Sequence, residues 1–480
     1  MDIQINQVEH QLNEITKVFH KQHDRLDALK ATSYRERVEK LNKIERYLLD
    51  EKNVDNLIQA LYEDFKKPAF EVLSSESGLV LQHIKYIKRN LKSWLQVQPH
   101  ITGLALVGTR SYVLPEPKGL TLILAPWNYP LNTALIPLVY SIAAGNAVIL
   151  KPSEMTPATS SYIKTMFNKL FDEGEIAIIE GGVSVSQHLL SLPFNHIHFT
   201  GSTRVGKIVM KAAAEHLTSV TLELGGKSPA IIDRELNIKE AAEKLAWGKF
   251  FNGGQTCIAP DYALVHEAVV DDLIKELKNA ITNMYDPEGN GIEKTTDLAH
   301  VVNESHFNRL TQLISDATEK GAKIEFGGTT IMGETFLAPT IISGITTEME
   351  IMEDEIFGPI LPIITYKTKE EAVQFINRLP KPLALYIASR NNNTIRYFVD
   401  HTTAGGTVIN DYLLGYSNPD LPFGGVNSSG IGRAFGKEGF FEFTNRRSII
   451  KRSYGTIKFI FPPYKTGKVK MAKLLSRWIG

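Results

Sequence analysis

The sequence predicts an α/β fold that is divided into two α/β domains. Four apolar, β-rich segments follow one another between residues 121 and 226, and enough residues for a helix separate each from the next: TLILAP, AVILKPS, HIHFTG and VTLELGG. Near-continuous hydrophobic strands that alternate with helices indicate a parallel sheet covered on both faces. At 480 residues the chain is also too long for one hydrophobic core, which favours two or three domains.

The flanking segments complete this prediction. Residues 1–96 show helical periodicity with mixed charge and are predicted to form surface helices. In the second half PAIIDR, YALVHE and LPIITY are predicted strands, whereas AAEKLAWGKFF, VDDLIKELKNAI and SHFNRLTQLISDATEKG are predicted helices, the last ended by Gly321. Segments before the first sheet and near FTNRRSIIKRS are expected to pair as an antiparallel extension, an expectation that rests on their position alone.

One stretch, residues 119–150, carries no formal charge and is long enough to cross a membrane. Several turn-forming residues interrupt it, namely Pro126, Pro130, Pro137 and the pair Gly145-Asn146. They divide it into a short apolar run, a helix of roughly twelve residues and a second apolar run, each the size of a buried element. The stretch is therefore predicted to form a strand, a helix and a strand.

Composition excludes several classes of function. The 53 Lys and Arg residues balance the 53 Asp and Glu residues, so the whole molecule carries no net field that would recruit nucleic acid. A single cysteine rules out an internal disulfide and favours a reducing, cytoplasmic environment. The N-terminus lacks the basic start and apolar stretch of a secretory signal. Function is therefore expected from a local site, and no metal site is expected.

Two residues are candidates for nucleophilic chemistry. Cys257 lies in NGGQTC, where Gly253 and Gly254 permit close backbone approach, although a buried structural cysteine is an equally good interpretation. A thiol with a pKa near ~8.5 is only partly ionised at neutral pH, so a nucleophile needs a base or positive dipole nearby. Glu223 in LELGGKSP ends an apolar strand, where burial would raise its pKa toward that of a general base. The alternative is a strand-end glutamate that faces solvent.

Three other segments offer groups that bind anions or hydroxyls. In FTGSTRVGK a strand runs through Gly201-Ser202-Thr203 into a helix, whose free backbone N–H groups suit a pyrophosphate, although an ordinary capped helix is at least as good an interpretation. Asn128 in APWNYP is either an oxyanion donor or a turn asparagine. Lys151 and Glu154 in KPSE can hydrogen-bond sugar hydroxyls at the carboxyl edge of the sheet.

Taken in order, seven segments closely resemble the aldehyde dehydrogenase superfamily: APWNYP, GNAVILKPSE, FTGSTRVG, LELGGKSP, NGGQTC, EIFGPI and PFGGVNSSG. The short N-terminus, the KPSE motif and the FPPY element at 461–464 are most similar to class 3, the fatty and aromatic aldehyde branch. The resemblance implies a Rossmann-like dinucleotide-binding domain (1–98 and 118–224), a catalytic domain (225–436), antiparallel bridging strands that join subunits (99–117 and 437–455) and a basic C-terminal tail (456–480).

The resemblance also assigns roles to individual residues. Cys257 is the expected attacking thiolate and Glu223 the base for deacylation, while Asn128 and the backbone N–H of Cys257 form the oxyanion hole. For the nucleotide, Lys151 and Glu154 are expected at the adenosine ribose, Ser202 at the pyrophosphate, and Glu355 and Phe357 at the nicotinamide ribose and ring. Four more residues are expected elsewhere in the nucleotide site, namely Trp127, Gly201, Thr203 and Gly206. Tyr412 and Phe423 are expected in the substrate pocket. NAD is the expected cofactor, with NADP as the alternative, because the Glu154 carboxylate would repel a 2′-phosphate.

The expected reaction is oxidation of a medium- or long-chain aliphatic or aromatic aldehyde to the acid, through a hemithioacetal and a thioester on Cys257. A coenzyme A-acylating relative is one alternative, but a retained Glu223 implies water as the acyl acceptor. A non-enzymatic protein on the same fold is another, and the intact set of Cys257, Glu223 and Asn128 argues against it. The resemblance implies a homodimer, and the bridging strands equally suit a homotetramer.

The C-terminus is strongly basic. From Phe443 to the end there are ten Lys or Arg residues and no acidic residue. The segment KVKMAKLLSRWIG is predicted to form a short basic amphipathic helix, which either lies on an anionic membrane surface or packs on the protein body.

Overall fold

A helical layer opens the chain. The structure is a computed structural model, and it describes residues 2–101, 106, 108–455 and 461–479. The first helices are α1 (Asp2–His23), α2 (Leu26–Lys30), α3 (Tyr34–Leu49), α4 (Glu51–Phe65), α5 (Ala69–Glu71) and α6 (Gly78–Trp94), with a π-helix (Val72–Ser77) between the last two. Ser33 and Glu36 form a capping box that starts α3, whose apolar residues then face the core. The helical prediction for residues 1–96 is therefore confirmed.

The first sheet has six strands, in the order β17-β7-β6-β3-β4-β5. Its strands are β3 (Leu120–Leu124), β4 (Ala147–Lys151), β5 (Ile176–Ile178), β6 (His196–Gly201), β7 (Ser219–Leu224) and β17 (Gly430–Ile431). The first five are parallel, whereas β17 pairs with β7 in the antiparallel sense. Every residue of β3 and β4 is buried, as predicted for a sheet covered on both faces.

Helices of the first sheet connect its strands. They are α7 (Asn132–Ala144), α8 (Pro157–Leu170), α9 (Val183–Leu190) and α10 (Thr203–Glu215). Because β3, α7 and β4 follow one another, the uncharged stretch 119–150 forms the predicted strand, helix and strand. Among the described residues, no helix has both the length and the apolar character needed to cross a membrane.

The second sheet has seven strands, in the order β10-β13-β14-β9-β8-β15-β16. Its strands are β8 (Pro229–Ile232), β9 (Tyr262–His266), β10 (Lys323–Phe326), β13 (Thr340–Ser343), β14 (Ile360–Tyr366), β15 (Ala384–Ala388) and β16 (Gly406–Ile409). All pairings are parallel except that of β10 with β13. A two-stranded hairpin of β11 (Thr330–Ile331) and β12 (Phe336–Leu337) lies apart from the sheet.

Five helices accompany the second sheet, and the predicted second α/β unit is confirmed. They are α11 (Ile238–Phe250), α12 (Val270–Tyr285), α13 (Glu304–Glu319), α14 (Lys369–Arg378) and α15 (Asn392–His401). Two residues after α13 ends, Gly321 adopts a left-handed φ of 96°, which agrees with its predicted role in ending that helix.

A three-stranded antiparallel sheet extends from the first sheet. It consists of β1 (Gln98–His100), β2 (Thr109–Pro117) and β18 (Thr444–Arg452), in that order. The predicted antiparallel extension is therefore present, but the second segment expected in it, 437–455, begins with the helix α16 (Gly436–Glu442). Helix forms there because Phe440 is fully buried, with its ring centroid 5.2 Å from that of Trp94.

The C-terminal segment contains the predicted helix, α17 (Thr466–Ile479). Residues 456–460 and Gly480 of the basic tail lie outside the described residues. Val469, Met471 and Leu474 of α17 are exposed, so these apolar side chains are not packed on the protein body.

Candidate active site

Cys257 lies just beyond three consecutive residues with left-handed φ, which come after the end of α11. Asn252 (φ 56°), Gly253 (φ 61°) and Gly254 (φ 71°) reverse the chain, and an added Cβ at Gly254 would collide with the Gly358 carbonyl. The glycines thus let the loop lie directly against neighbouring backbone. Cys257 is half-buried, so it is not the sealed structural cysteine that was the alternative interpretation.

Asn128 reaches the same loop from the first sheet. It follows β3 and is buried, and its Nδ2 donates a hydrogen bond of 3.0 Å to the Gln255 carbonyl. Asn252 Nδ2 donates to the Asn128 carbonyl at 3.0 Å and to the Gln255 carbonyl at 3.1 Å. These bonds hold the side-chain amide of Asn128 against the backbone of Gln255, which is two residues before Cys257 in the chain.

Glu223 lies on β7, opposite Gly430 of the short strand β17. Its side chain is buried, and neither carboxyl oxygen has a hydrogen-bond partner among the described residues. Gly424 leaves room for this carboxyl group, since an added Cβ there would lie 3.1 Å from Glu223 Oε1. The solvent-facing alternative is therefore excluded, and a buried polar group without a partner points to use in chemistry.

Burial raises the pKa of Glu223 well above its usual value. The negative charge of Glu442 raises this pKa further, and the guanidinium of Arg433 opposes both effects. Burial also raises the pKa of the Cys257 thiol, and so do the carboxylates of Glu355 and Glu223. Glu223 and Glu355 are therefore close enough to the sulfur to act on its charge, and both disfavour the thiolate.

The segment FTGSTRVGK forms the predicted strand, turn and helix. Ser202 caps α10, its hydroxyl accepting from the Val205 N–H at 3.4 Å, and Thr203 Oγ1 donates to the Ser428 carbonyl at 2.9 Å. Gly201 ends β6, and Gly206 is buried where an added Cβ would lie 2.7 Å from Leu224 Cδ2. The helix N-terminus is thus seated closely on the carboxyl edge of the first sheet.

The two KPSE residues lie together at the end of the adjacent strand. Lys151 is buried, and its Nζ donates to Glu154 Oε2 at 2.6 Å, whereas Glu154 is exposed. They lie at the same edge of the sheet as Ser202. The strands β4 and β6 run parallel to β3 on either side of it, so the carboxyl ends of all three meet at one edge.

Phe357, predicted at the nicotinamide ring, lies against Trp127, which was predicted elsewhere in the nucleotide site. Phe357 (φ 51°) packs edge-on against Trp127, with 5.3 Å between ring centroids. The Glu355 carboxylate rests on Gly225, where an added Cβ would collide with it. Burial raises the pKa of Glu355 to about 8, and Asp261 adds to this, while the Gly226 N–H opposes it.

The two predicted substrate-pocket residues lie in different surroundings. Tyr412 is fully buried in the core of the second sheet, with its ring 4.9 Å from that of Tyr386. Phe423 is half-buried and stacks on Phe435 at 4.9 Å, and Tyr416 meets it edge-on at the same distance. Tyr416 is within electrostatic range of both Cys257 and Glu223, which places this aromatic cluster beside the candidate catalytic groups.

Several residues of this site were not predicted from the sequence. Arg433 and Glu442 bracket Glu223, Tyr129 donates or accepts a 2.7 Å hydrogen bond with Thr256, and His306 packs on Trp127. Asn252 and Gln255 lie within the NGGQTC motif, but the sequence of the motif does not indicate that their side chains form buried hydrogen bonds to the neighbouring backbone.

Comparison with known proteins agrees with this geometry. The family model described as "Aldehyde dehydrogenase family" matches residues 4–449. A 4,4'-diaponeurosporen-aldehyde dehydrogenase of Staphylococcus aureus is 44% identical over 441 residues, which cover 92% of this chain and 93% of that protein. An aldehyde dehydrogenase family 3 member B1 of Rattus norvegicus is 40% identical over 438 residues, covering 91% and 92%.

A solved structure shows the same fold. The substrate-bound state of Staphylococcus aureus AldH superposes with a TM-score of 0.91 at 42% sequence identity, and the match covers 96% of this chain and 99% of that one. The expected resemblance, including its class 3 character, is confirmed by these relatives. The chain belongs to the aldehyde dehydrogenase family and is an NAD(P)-dependent oxidoreductase that oxidises aldehydes to carboxylic acids.

Proposed function

We propose that Cys257 is the nucleophile of this oxidation, that Glu223 is the base for acid release and that Asn128 is an oxyanion donor. One observation carries the proposal: three side chains from separate segments converge, namely a half-buried thiol, a buried carboxyl without a hydrogen-bond partner among the described residues, and an amide anchored two residues before the thiol. Such a set suits acyl chemistry through a covalent intermediate.

The proposed first step is attack by Cys257 on the aldehyde carbonyl. The sulfur forms a bond to the carbonyl carbon, the thiol proton passes to water, and the carbonyl oxygen becomes an oxyanion. Asn128 Nδ2 has two hydrogens and gives one to Gln255, so the other and the Cys257 N–H stabilise the oxyanion. A bound nicotinamide dinucleotide supplies the hydride acceptor, and loss of hydride leaves a thioester on Cys257.

The proposed second step is hydrolysis. Glu223 takes a proton from water, the resulting hydroxide attacks the thioester carbonyl, and the carbon–sulfur bond breaks to release the acid and the thiol. A coenzyme A-acylating enzyme would instead pass the acyl group to a second thiol. The retained carboxyl of Glu223 favours water as the acceptor.

The residues present fit a dinucleotide. The N-terminus of α10 at Ser202 suits the pyrophosphate, Lys151 and Glu154 suit the adenosine ribose, and Glu355 and Phe357, beside Trp127, suit the nicotinamide half. Gly201, Thr203 and Gly206 form the turn that the pyrophosphate would approach. We propose NAD as the preferred form, because the exposed carboxylate of Glu154 would repel a 2′-phosphate.

The proposed substrate is an apolar aldehyde of medium or long chain, or an aromatic one. Tyr416, Phe423 and Phe435 form an aromatic wall beside Cys257 and Glu223. Apolar aldehydes gain most from such a wall, since burial against rings removes their surface from water. Tyr412, also proposed for the pocket, is buried in the hydrophobic cluster against which Tyr416 and Phe423 pack.

A panel of aldehydes tests the function directly. Cofactor reduction is followed by absorbance with hexanal, decanal, hexadecanal and benzaldehyde, each with NAD and with NADP. The proposal expects turnover with NAD by the parent protein and none by Cys257→Ala. Steady turnover by the alanine variant would refute the role of Cys257.

We also propose a division of the chain into a dinucleotide-binding domain of residues 1–98 and 118–224, a catalytic domain of 225–436, and bridging strands in 99–117 and 437–455. The strand β18 lies at the edge of its sheet, which leaves one side open for a partner subunit. We therefore propose a homodimer, with a homotetramer as the alternative.

The basic tail is proposed to contact an anionic membrane surface from the cytoplasmic side, where the single cysteine stays reduced. The exposed apolar residues Val469, Met471 and Leu474 share α17 with four basic residues. Co-sedimentation with phosphatidylglycerol vesicles is expected for the full chain and not for a chain ending at residue 455. No sedimentation of the full chain, or equal sedimentation of both chains, would contradict the proposal.

A further inference from the structure

A group of charged side chains lies buried beneath the active-site loops and has no part in the steps above. Lys67 and Glu76 are fully buried, and Glu71 is 6% exposed. Ionisable side chains are rarely placed out of water unless they are paired or used. Their partners therefore indicate what these three residues do.

Lys67 connects to the residue before the nucleophile through an aromatic ring. Its Nζ lies 2.8 Å from Glu76 Oε1 and 3.9 Å from the ring centroid of Tyr129. The hydroxyl of Tyr129 is 2.7 Å from Thr256 Oγ1. Lys67 thus supports Tyr129, which in turn holds the residue next to Cys257.

Glu76 fixes the far end of the loop that carries Asn128 and Tyr129. Its second oxygen accepts from the Asn132 N–H at 2.9 Å, and Asn132 Oδ1 accepts from the Tyr416 hydroxyl at 2.9 Å. Asn132 begins α7, four residues after Asn128. The loop that presents Asn128 is therefore held at Tyr129 by Lys67 and at Asn132 by Glu76.

Glu71 holds the loop that carries Cys257. Its Oε2 accepts from the Asn252 N–H at 3.0 Å, and the side chain of Asn252 binds the carbonyls of Asn128 and Gln255. The π-helix that follows Glu71 has i→i+5 hydrogen bonds, which bring residues five apart onto one side of the helix. Glu71 and Glu76 are five apart, so this unusual turn directs both carboxylates toward the two loops.

We propose that Lys67, Glu71 and Glu76 are positioning residues for aldehyde oxidation. They lock the Asn128 loop of the first sheet to the Cys257 loop of the second sheet, and so fix the distance between the two oxyanion donors. The inference rests on the proposed function, because it assumes that Asn128 and the Cys257 N–H hold the oxyanion.

Substitutions at Glu71 test this arrangement. Glu71→Gln keeps an oxygen that accepts from Asn252, whereas Glu71→Leu removes it. Asp64→Leu is the matched control: Asp64 lies in the same helical layer and accepts from the N–H groups of Ala158 and Thr159, away from Cys257. Tyr129→Phe gives a second, milder variant that removes only the bond to Thr256.

Two rates are compared in each variant. The first is the burst of NAD reduction with hexanal, which needs the oxyanion donors. The second is alkylation of Cys257 by iodoacetamide, which forms no oxyanion and reports only on the thiol. The proposed function is tested separately: it requires a burst in the parent protein and no burst in Cys257→Ala. Circular dichroism and a thermal midpoint report whether each variant is folded.

We expect Glu71→Leu to slow the burst by about tenfold or more, because small misplacements at a reacting centre cost up to roughly a hundredfold. Tyr129→Phe slows it less, Glu71→Gln and Asp64→Leu stay within about twofold of the parent, and alkylation stays within about twofold throughout. A folded Glu71→Leu or Tyr129→Phe with the parent burst would overturn the proposal. The proposal would also be overturned if the burst in Glu71→Gln were as slow as the burst in Glu71→Leu. The same holds if the burst rate and the alkylation rate of a variant fell by the same factor.

Discussion

Glu223 shows how the fold creates an unusual acid from an ordinary residue. It lies near the end of the strand β7, is 5% exposed, and feels the charges of Arg433 and Glu442. Burial raises its pKa well above the usual value, so the carboxyl ionises at higher pH than an exposed glutamate does. In its proposed role as a base it must be ionised, so acid release should increase as pH rises.

The first prediction concerns Glu223→Gln. The glutamine keeps the shape of the side chain but cannot take a proton from water, so hydride transfer continues while thioester hydrolysis slows by about a hundredfold or more. Stopped-flow absorbance should show a burst near one equivalent of reduced cofactor per active site, followed by very slow turnover. Loss of the burst itself would assign Glu223 to the first step instead.

The second prediction concerns the charges around Glu223. Glu442 raises its pKa and Arg433 lowers it. Glu442→Gln should therefore shift the rising limb of the pH profile for acid release to lower pH, and Arg433→Gln should shift it to higher pH. The profile is measured from pH 6 to 10 with an aldehyde whose hydrolysis step limits turnover. Shifts in the same direction for both variants would contradict this electrostatic account.

Sequence reasoning could identify Cys257, Glu223 and Asn128 because each lies in a motif whose neighbouring glycines and prolines mark a loop or strand end. It could not identify Arg433 or Glu442, which approach Glu223 from a segment about 200 residues later. Long-range packing brings them there, and no local pattern encodes it. Lys67 and Glu76 were missed for the same reason.

At the scale of elements, the ends of strands and the loops that follow them determine where the site residues lie. Gly225, directly after β7, supports the Glu355 carboxylate at a distance that leaves no room for a Cβ. The loop after β7 thereby sets the position of Glu355, a residue that is 130 positions later in the chain.

The third prediction is that Gly225→Ala displaces Glu355 and weakens cofactor binding. The KM for NAD should rise by about tenfold, since one ribose contact is worth roughly 1.4 kcal/mol. Gly333→Ala is the control, because an added Cβ there meets no atom within 4 Å. An unchanged KM for NAD in Gly225→Ala would show that Glu355 does not contact the nucleotide.

Elements with a strong apolar run were predictable from the sequence, as β3, β4, β6 and β7 show. The strand β5 is only three residues long and was not predicted. The π-helix Val72–Ser77 was not predicted either, because its register depends on where Glu71 and Glu76 find partners. Helix α16 occupies the start of the segment 437–455, where strand was expected, and it packs Phe440 against Trp94.

For the whole molecule, the two sheets and the antiparallel extension suggest how subunits associate. Ile450 of the edge strand β18 is 62% exposed, and an exposed apolar residue on an edge strand is a place where another chain can pair. A second subunit that covers this edge would bury it.

The fourth prediction is that Ile450→Asp disrupts the proposed dimer. Light scattering after size exclusion should give about twice the 53.6 kDa chain mass for the parent and a lower mass for the variant. Circular dichroism should stay unchanged, because Ile450 is exposed within one chain. A parent protein that runs as a monomer would contradict the proposed assembly.

The central claim is that Cys257 carries the acyl group between oxidation and hydrolysis. Intact mass spectrometry of Glu223→Gln after mixing with NAD and hexanal tests it most directly, since slow hydrolysis lets the intermediate accumulate. The account predicts the mass of one hexanoyl group per chain, mapped to the peptide that contains Cys257 and absent from a Cys257→Ala/Glu223→Gln double variant. Reduced cofactor without any acyl adduct, or an adduct on another residue, would contradict it.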